Sequence, residues 1–140
     1  MAGSPLSIRF DAALLERLRR SASSRDTTPS GMAQRLVDEG LRVQEHPGIA
    51  FRDGPSGRRA ALVAGPDVWE VAAAAHYSSA RADAAVSATA LEMSLSVDQV
   101  RTALDYFGRF PDEINEQIAE NERAAAEARQ AWEAQQRLLA

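Results

Sequence analysis

The first ten residues contain a short stretch in which apolar and polar side chains alternate. Leu6, Ile8 and Phe10 fall on one face of an extended chain, and Ser7 and Arg9 fall on the other. This period of two predicts a strand over residues 6–10. A five-residue strand cannot satisfy its own backbone hydrogen bonds, so it needs a second strand beside it.

Two helices are predicted directly after this strand. Asp11 is typical of a helix N-cap, and leucines at positions 14, 15 and 18 follow at helical spacing, which predicts a helix over residues 12–23. Thr28 and Pro29 are typical of the cap and the first position of a second helix. The apolar stripe of that helix consists of Met32, Leu36, Val37 and Leu41.

The rest of the chain is predicted to be a hairpin followed by helices. Residues 46–48, His-Pro-Gly, end the second helix, and two short strands are predicted over residues 49–52 and 59–63. Further helices are predicted over residues 68–77, 80–93, about 97–108 and from 112 onward. The predicted fold class is therefore mainly α. The predicted domains are a strand with two helices (1–45), a hairpin with a bundle of three helices like a helix-turn-helix (46–110), and a long C-terminal helix (111–140).

The first predicted domain is too small to bury its apolar faces alone. If two copies paired their strands antiparallel, Leu6, Ile8 and Phe10 would be covered by the helices, with Leu36 in the same dimer core. The sequence therefore predicts a homodimer.

In such a dimer the polar face of the paired strands is available to DNA. Ser7 and Arg9 would project from a two-stranded ribbon, and a ribbon of this kind fits the major groove. Thr28, Pro29 and Ser30 would lie at a helix N-terminus, whose free amides suit a phosphate.

This order of strand, capped helix, polar turn and capped helix resembles the ribbon-helix-helix family of bacterial repressors and antitoxins, specifically its CopG-like branch. The resemblance implies that Pro5, Ser7 and Arg9 contact operator bases and that Thr28–Ser30 contact the DNA backbone. Pro5 departs from the family pattern because proline has no N–H to donate. The alternative is an ordinary edge strand and helical hairpin that carry a surface arginine.

A second resemblance covers about residues 46–120. The segments His46–Arg52, Gly65–Val71 and Ser96–Tyr106 are similar to a small helical domain found in many VapB-type antitoxins. The resemblance implies that this domain helps dimerisation and leads into a segment that binds a toxin, usually a PIN-like ribonuclease. Arg52, Arg58 and Arg59 on the hairpin are candidates for a second DNA contact, with a solvated hairpin as the alternative.

The final helix has few large apolar residues to bury. Its candidate toxin contacts are Ile114, Ile118, Trp132 and Leu139. The alternative is a terminal helix that packs on its own dimer and is frayed beyond about Ala126. Its acidic side chains would suit a basic nuclease surface.

Charge and composition support the prediction of a DNA-binding start and a protein-binding end. Residues 1–25 carry five arginines and two acids, a net charge of +3, whereas residues 111–140 carry three arginines and seven acids, a net charge of −4. This polarity favours DNA at one end and protein at the other. The chain has no cysteine and no apolar stretch long enough to span a membrane, so a cytoplasmic protein is expected.

Enzymatic motifs are missing from the sequence. His46 and His76 are its only histidines, and it has no nucleophile elbow, zinc-binding helix or dinucleotide loop. No catalytic residue, metal ligand or cofactor is therefore predicted.

The predicted function is that of an antitoxin in a type II toxin–antitoxin pair. It would neutralise a PIN-like ribonuclease and repress its own operon as a homodimer, or as a higher oligomer where dimers bind neighbouring half-sites. The alternatives are a stand-alone ribbon-helix-helix repressor and a protein-interaction scaffold.

Overall fold

A computed structural model describes residues 3–140. The chain forms two compact units, one that ends at Gln44 and one that comprises Glu45–Ala140. Within residues 3–140 there are six helices and one two-stranded antiparallel sheet. The mainly helical content agrees with the prediction from sequence.

The first unit contains the helices α1 (Ala12–Ser24) and α2 (Pro29–Glu45). The Asp11 carboxylate accepts a hydrogen bond from the Leu14 backbone N–H at 2.9 Å, and Thr28 Oγ1 accepts one from the Gly31 N–H at 3.0 Å. Each side chain satisfies an amide that has no partner within its own helix. Both helices therefore begin where local sequence favours it.

The predicted ribbon-helix-helix start is wrong. Residues 3–11 have no regular secondary structure, and the sheet pairs β1 (Ile49–Gly54) with β2 (Gly57–Leu62), which both follow the first two helices. Alternation assigns side chains to faces, but a strand forms only where a second strand offers its N–H and C=O groups. β1 and β2 offer those groups to each other across a two-residue connection.

The second unit continues from this hairpin into four helices. They are α3 (Val68–Tyr77), α4 (Asp83–Met93), α5 (Val97–Arg109) and α6 (Pro111–Leu139). Ser96 caps α5: its hydroxyl accepts from the Gln99 N–H at 3.1 Å, and Gln99 Oε1 accepts from the Ser96 N–H at 2.9 Å. Pro111 occupies the first turn of α6, where a missing N–H costs nothing.

The core of the second unit joins the hairpin to all four helices. Tyr106 is fully buried, and its ring lies 4.7 Å from the Phe110 ring, 5.4 Å from His46 and 6.3 Å from Phe51, measured between centroids. Its hydroxyl donates to Glu113 at 2.8 Å. The other buried members of this core are Ile49, Ala60, Leu62, Val68, Val71, Ala72, Val86, Ala90, Val100, Ala103 and Ile114.

A polar network around Asp67 ties the hairpin to α3. Asp67 Oδ1 accepts from Arg52 Nε at 2.9 Å, and Asp67 Oδ2 accepts from Trp69 Nε1 at 3.1 Å and lies 3.8 Å from Arg59 Nη1. The buried Arg59 guanidinium also lies 5.7 Å from the centre of the Trp69 ring. A buried arginine is tolerated because its charge is paired.

None of the helices within residues 3–140 combines the length and the apolar composition that a membrane crossing requires.

Gly54→Ala is expected to destabilise the protein. A Cβ at Gly54 would lie 2.5 Å from both Cδ and Nε of Arg59, which the network around Asp67 holds in place. Displacing Arg59 should lower the free energy of unfolding by about 1–3 kcal/mol, measured by chemical denaturation.

Gly108→Ala is the matched control because a Cβ there meets no atom within 4 Å. Alanine also favours a helix more than glycine does, so stability should stay constant or rise by up to about 1 kcal/mol. Equal stability of Gly54→Ala and the parent would show that Arg59 is free to move.

Candidate functional site

The predicted base-contacting residues lie on the extended segment before α1. Pro5, Ser7 and Arg9 are all exposed. Leu6 and Ile8 are also exposed, at 81% and 59% of their full accessible area, while Phe10 is half-buried. The first unit therefore leaves both sides of this segment open, including the side that carries large apolar groups.

An apolar groove of about 670 Å³ lies between this segment and α2; we call it the first-unit groove. The predicted dimer-core residues Leu6, Ile8 and Phe10 line it, but Leu36 does not. The α2 residues that line it are Ser30, Ala33, Gln34, Val37, Asp38 and Leu41. Val37 and Leu41, which the sequence predicts in the apolar stripe of this helix, also line the groove, and their four-residue spacing places them on one helix face.

The first unit is basic and the second is acidic. Up to Gln44 the chain has seven arginines and five acids, a net charge of +2, and from Glu45 it has nine arginines and fifteen acids, a net charge of −6. Arg9, Arg17 and Arg19 are exposed, and none of them forms an ion pair with another residue of the described range 3–140. Their guanidinium groups are therefore available to an anionic partner.

The start of α2 provides a second polar surface in the first unit. Thr28, Pro29 and Ser30 are all exposed there. Thr28 Oγ1 caps the Gly31 amide, and Pro29 has no N–H. The structure places these residues at an open helix N-terminus, as the sequence predicted.

The hairpin arginines are engaged within the second unit. Arg52 binds Asp67 and donates to the Gly65 carbonyl at 2.7 Å, while Arg58 lies 3.3 Å from Asp53. Arg59 is buried. These contacts favour a structural role over the second DNA contact considered from sequence.

The predicted toxin-contacting residues separate into two groups along α6. Ile114 is fully buried in the core of the second unit, and Ile118 packs against that core. Trp132 and Leu139 are exposed at 59% and 78%. Ile114 is therefore inaccessible to a partner without unfolding, Ile118 is accessible on one side, and Trp132 and Leu139 are largely exposed.

The part of α6 that follows Glu120 is exposed along almost its whole length. Over residues 121–139 only Ala126 is half-buried, and every other side chain is exposed. The helix nevertheless continues to Leu139. The sequence predicted apolar-poor character here, but could not say at which residue α6 leaves the core.

A second apolar groove, of about 460 Å³, lies within the second unit; we call it the α3–α6 groove. It is lined by Ala72, Ala73, Ala75, His76, Tyr77, Leu104, Phe107, Asn115, Ile118, Ala119 and Glu122. At its rim the Tyr77 hydroxyl donates to Glu122 Oε1 at 2.6 Å. Sequence reasoning missed this groove because its residues come from three separate helices.

A polar groove of about 320 Å³ lies between the hairpin and α6. Arg58, Arg59 and three glutamates of α6 line it, and the Ser56 hydroxyl donates to Glu120 at 2.6 Å. In the part of the chain that the structure describes, no cluster of three or more His, Asp or Glu side chains is arranged to hold a metal ion.

Comparisons of the chain with protein-family models, with curated proteins and with solved structures found no match. Function is therefore inferred from the surfaces of the chain itself.

A hydrogen bond at the rim of the α3–α6 groove shifts the pKa of Tyr77. The hydrogen bond to Glu122, followed by the negative charge of that carboxylate, raises the pKa of Tyr77 above its ordinary value of 10.0. Glu122→Gln should lower this pKa toward 10.0, because it removes the charge and weakens acceptance from the phenol. NMR of tyrosine labelled at Cζ measures this directly.

Glu127→Gln, an exposed change on the same helix, is the control and should leave the pKa of Tyr77 where it is. Identical titration of Tyr77 in the parent and in Glu122→Gln would contradict the contact.

Proposed function

We propose that this chain is the antitoxin of a type II toxin–antitoxin pair. As a homodimer its first unit binds operator DNA and represses its own operon, and its α6 helix binds and neutralises a PIN-like ribonuclease. The observation that carries the proposal is that the two units expose surfaces of different chemical character. Arginines without an ion-pair partner and exposed apolar groups lie in the first unit, and the second unit carries an exposed helix with large apolar groups at Trp132 and Leu139.

The homodimer is supported by the first unit because it exposes far more large apolar side chains than it buries. Among residues 3–44 the only apolar side chains that are buried are Ala22 and Met32. Seven large apolar side chains are exposed there: Leu6, Ile8, Leu14, Leu36, Val37, Leu41 and Val43. Each such group gains about 1.5–3 kcal/mol on full burial, so a second copy that covers them supplies most of the stability this unit needs.

DNA binding is supported by the exposed polar side chains of the N-terminal segment. Arg9 has no ion-pair partner within residues 3–140, and its guanidinium has the geometry to donate twice to guanine in the major groove. Ser7 lies two positions away on the same segment. Thr28–Ser30 are suited to a backbone phosphate because the amides at a helix N-terminus carry a partial positive charge.

Toxin binding is supported by the exposed half of α6. Trp132 and Leu139 offer large apolar contacts, and aromatic groups of this size dominate many protein interfaces. The acidic excess of α6 lies in residues 111–120, which carry four acids and no arginine, whereas the exposed residues 121–140 carry three acids and three arginines. A basic partner surface would therefore suit the first part of α6, next to its exposed half. Ile114 is excluded from this contact by its burial, and Ile118 contributes only through its open side.

Arg9→Ala tests the DNA contact. Loss of a bidentate base contact should weaken binding to DNA from upstream of the gene by about tenfold or more, measured by gel-shift titration. Arg137→Ala, which removes an exposed arginine from the acidic unit, is the matched control and should bind normally. Unchanged affinity of Arg9→Ala, with circular dichroism like that of the parent, would remove Arg9 from base contact.

Deletion of residues 126–140 tests the toxin contact. The deletion spares Ile114 and the core, so the protein should fold and bind DNA. It should fail to inhibit the ribonuclease encoded beside it in an RNA-cleavage assay, because Trp132 and Leu139 are lost. Full inhibition by the truncated protein would move the toxin contact elsewhere.

A stand-alone repressor is the second candidate function. The α3–α6 groove favours it, because a concave apolar groove with a few polar groups at its rim suits a small effector. Normal operator binding with no neutralisable ribonuclease would select this candidate over the antitoxin.

A further inference from the structure

The second unit has two apolar features that no other part of the unit covers. One is the α3–α6 groove, which α6 borders through Ile118 and Glu122. The other is Trp132, which α6 carries further along, in its exposed half. We propose that α6 pairs antiparallel with α6 of a second copy of this chain, so that each copy places its Trp132 in the α3–α6 groove of the other.

The spacing along α6 supports a single contact stripe. Ile118, Glu122, Ala125, Arg129, Trp132 and Gln136 follow each other in steps of four, three, four, three and four residues. Such steps keep side chains on one face of a helix that packs along another helix. At 1.5 Å per residue the stripe is about 27 Å long. Its first half borders the groove and its second half carries the tryptophan.

In one antiparallel register every residue of the stripe faces a stripe residue of the second copy. When the two-fold axis passes beside residue 127, Ile118 faces Gln136 of the second copy, and Glu122 faces Trp132 of the second copy. Ala125 then faces Arg129 of the second copy. Glu122 lies at the rim of the groove, so this register brings the tryptophan to the groove mouth. Ala125 near the axis allows the helices to approach closely, because helix separation depends on side-chain size at the contact.

The charges of Glu122 and Arg129 favour the antiparallel orientation over the parallel one. In the antiparallel register Arg129 of each copy lies within one helical turn of Glu122 of the other, which gives two opposite-charge pairs. A parallel pairing would instead bring Glu122 near Glu122 and Arg129 near Arg129. Glu122 accepts from Tyr77 through Oε1, and a carboxylate has further lone pairs to accept from a guanidinium.

The groove suits an indole group. Alanines at positions 72, 73 and 75 leave room along one wall, while Tyr77 and Phe107 provide aromatic edges. A buried tryptophan removes about 150–250 Å² of its surface from water, which makes it the main apolar contribution to the pairing. Tyr77, at 68% exposure, would be covered at the same time.

This pairing goes beyond the proposed function, since it concerns the chain without its partner. Trp132 is also assigned to the toxin contact, so a toxin and a second copy exclude each other on α6. The pairing is separate from the dimer of the first unit, and the two together give a tetramer or a longer assembly.

Charge reversal in the full-length chain tests the register. In analytical ultracentrifugation, Glu122→Arg, Arg129→Glu and Trp132→Ala should each raise the dissociation constant of one association step by about tenfold or more. The double variant Glu122→Arg/Arg129→Glu should return it to within about threefold of the parent, because the charge pairs re-form with exchanged signs. Leu138→Ala, which lies off the stripe, should leave it unchanged.

Failure of the double variant to recover, or no effect of the single variants, would overturn the pairing. Ile8→Asp blocks the proposed dimer of the first unit and makes the two proposals separable. In that background the α6 step should persist with the same response to charge reversal. Loss of the α6 step there would also overturn it.

Disulfide trapping gives a second, independent test in a chain that has no cysteine. Ala126→Cys lies beside the two-fold axis, whereas Ala131→Cys lies on the opposite face of the helix. Under mild oxidation Ala126→Cys should form a covalent dimer on a non-reducing gel, and Ala131→Cys should stay monomeric. Equal cross-linking of both, or none at position 126, would contradict the antiparallel register.

Discussion

The apolar surface that the first unit leaves exposed is the constraint on which the proposed biology depends. Residues 3–44 bury Ala22 and Met32 but expose Leu6, Ile8 and Val37. Burial of each large side chain would gain about 1.5–3 kcal/mol, which favours a partner that covers this surface. The same short segment carries Ser7 and Arg9. Any partner that covers its apolar groups therefore also holds its polar groups in position, which links assembly to recognition of a ligand.

The second unit meets the same physical demand within one chain. Tyr106 lies at the centre of its core, and the Asp67 carboxylate joins Arg52 of the hairpin to Trp69 of α3. Because the charged groups of the hairpin are paired inside the unit, they contribute to its shape and are not free for DNA. Net charges of +2 and −6 make the two units suited to partners of opposite charge.

The α6 helix divides into two parts because the core covers only its first part. Ile114 belongs to the core, whereas the residues from 121 onward are exposed on nearly all sides. An uncovered helix of this length is maintained by its continuity with the packed part and by its many alanine and glutamate residues, which favour a helix. Its stripe through Ala125 and Trp132 is suited to a helical or concave partner.

Sequence by itself determined the helices, their caps and the hairpin, because these depend on neighbours a few residues away. Asp11 and Thr28 are both predicted caps that the structure confirms, and the predicted bounds of α3 match the observed ones. Only the tertiary structure decided which strands pair, that Ile114 lies inside the core and that three helices form the α3–α6 groove. The alternation of apolar and polar residues over 6–10 defines two faces but does not show which strand would pair with this segment. Pairing and burial depend on residues distant in the chain, which a local pattern does not contain.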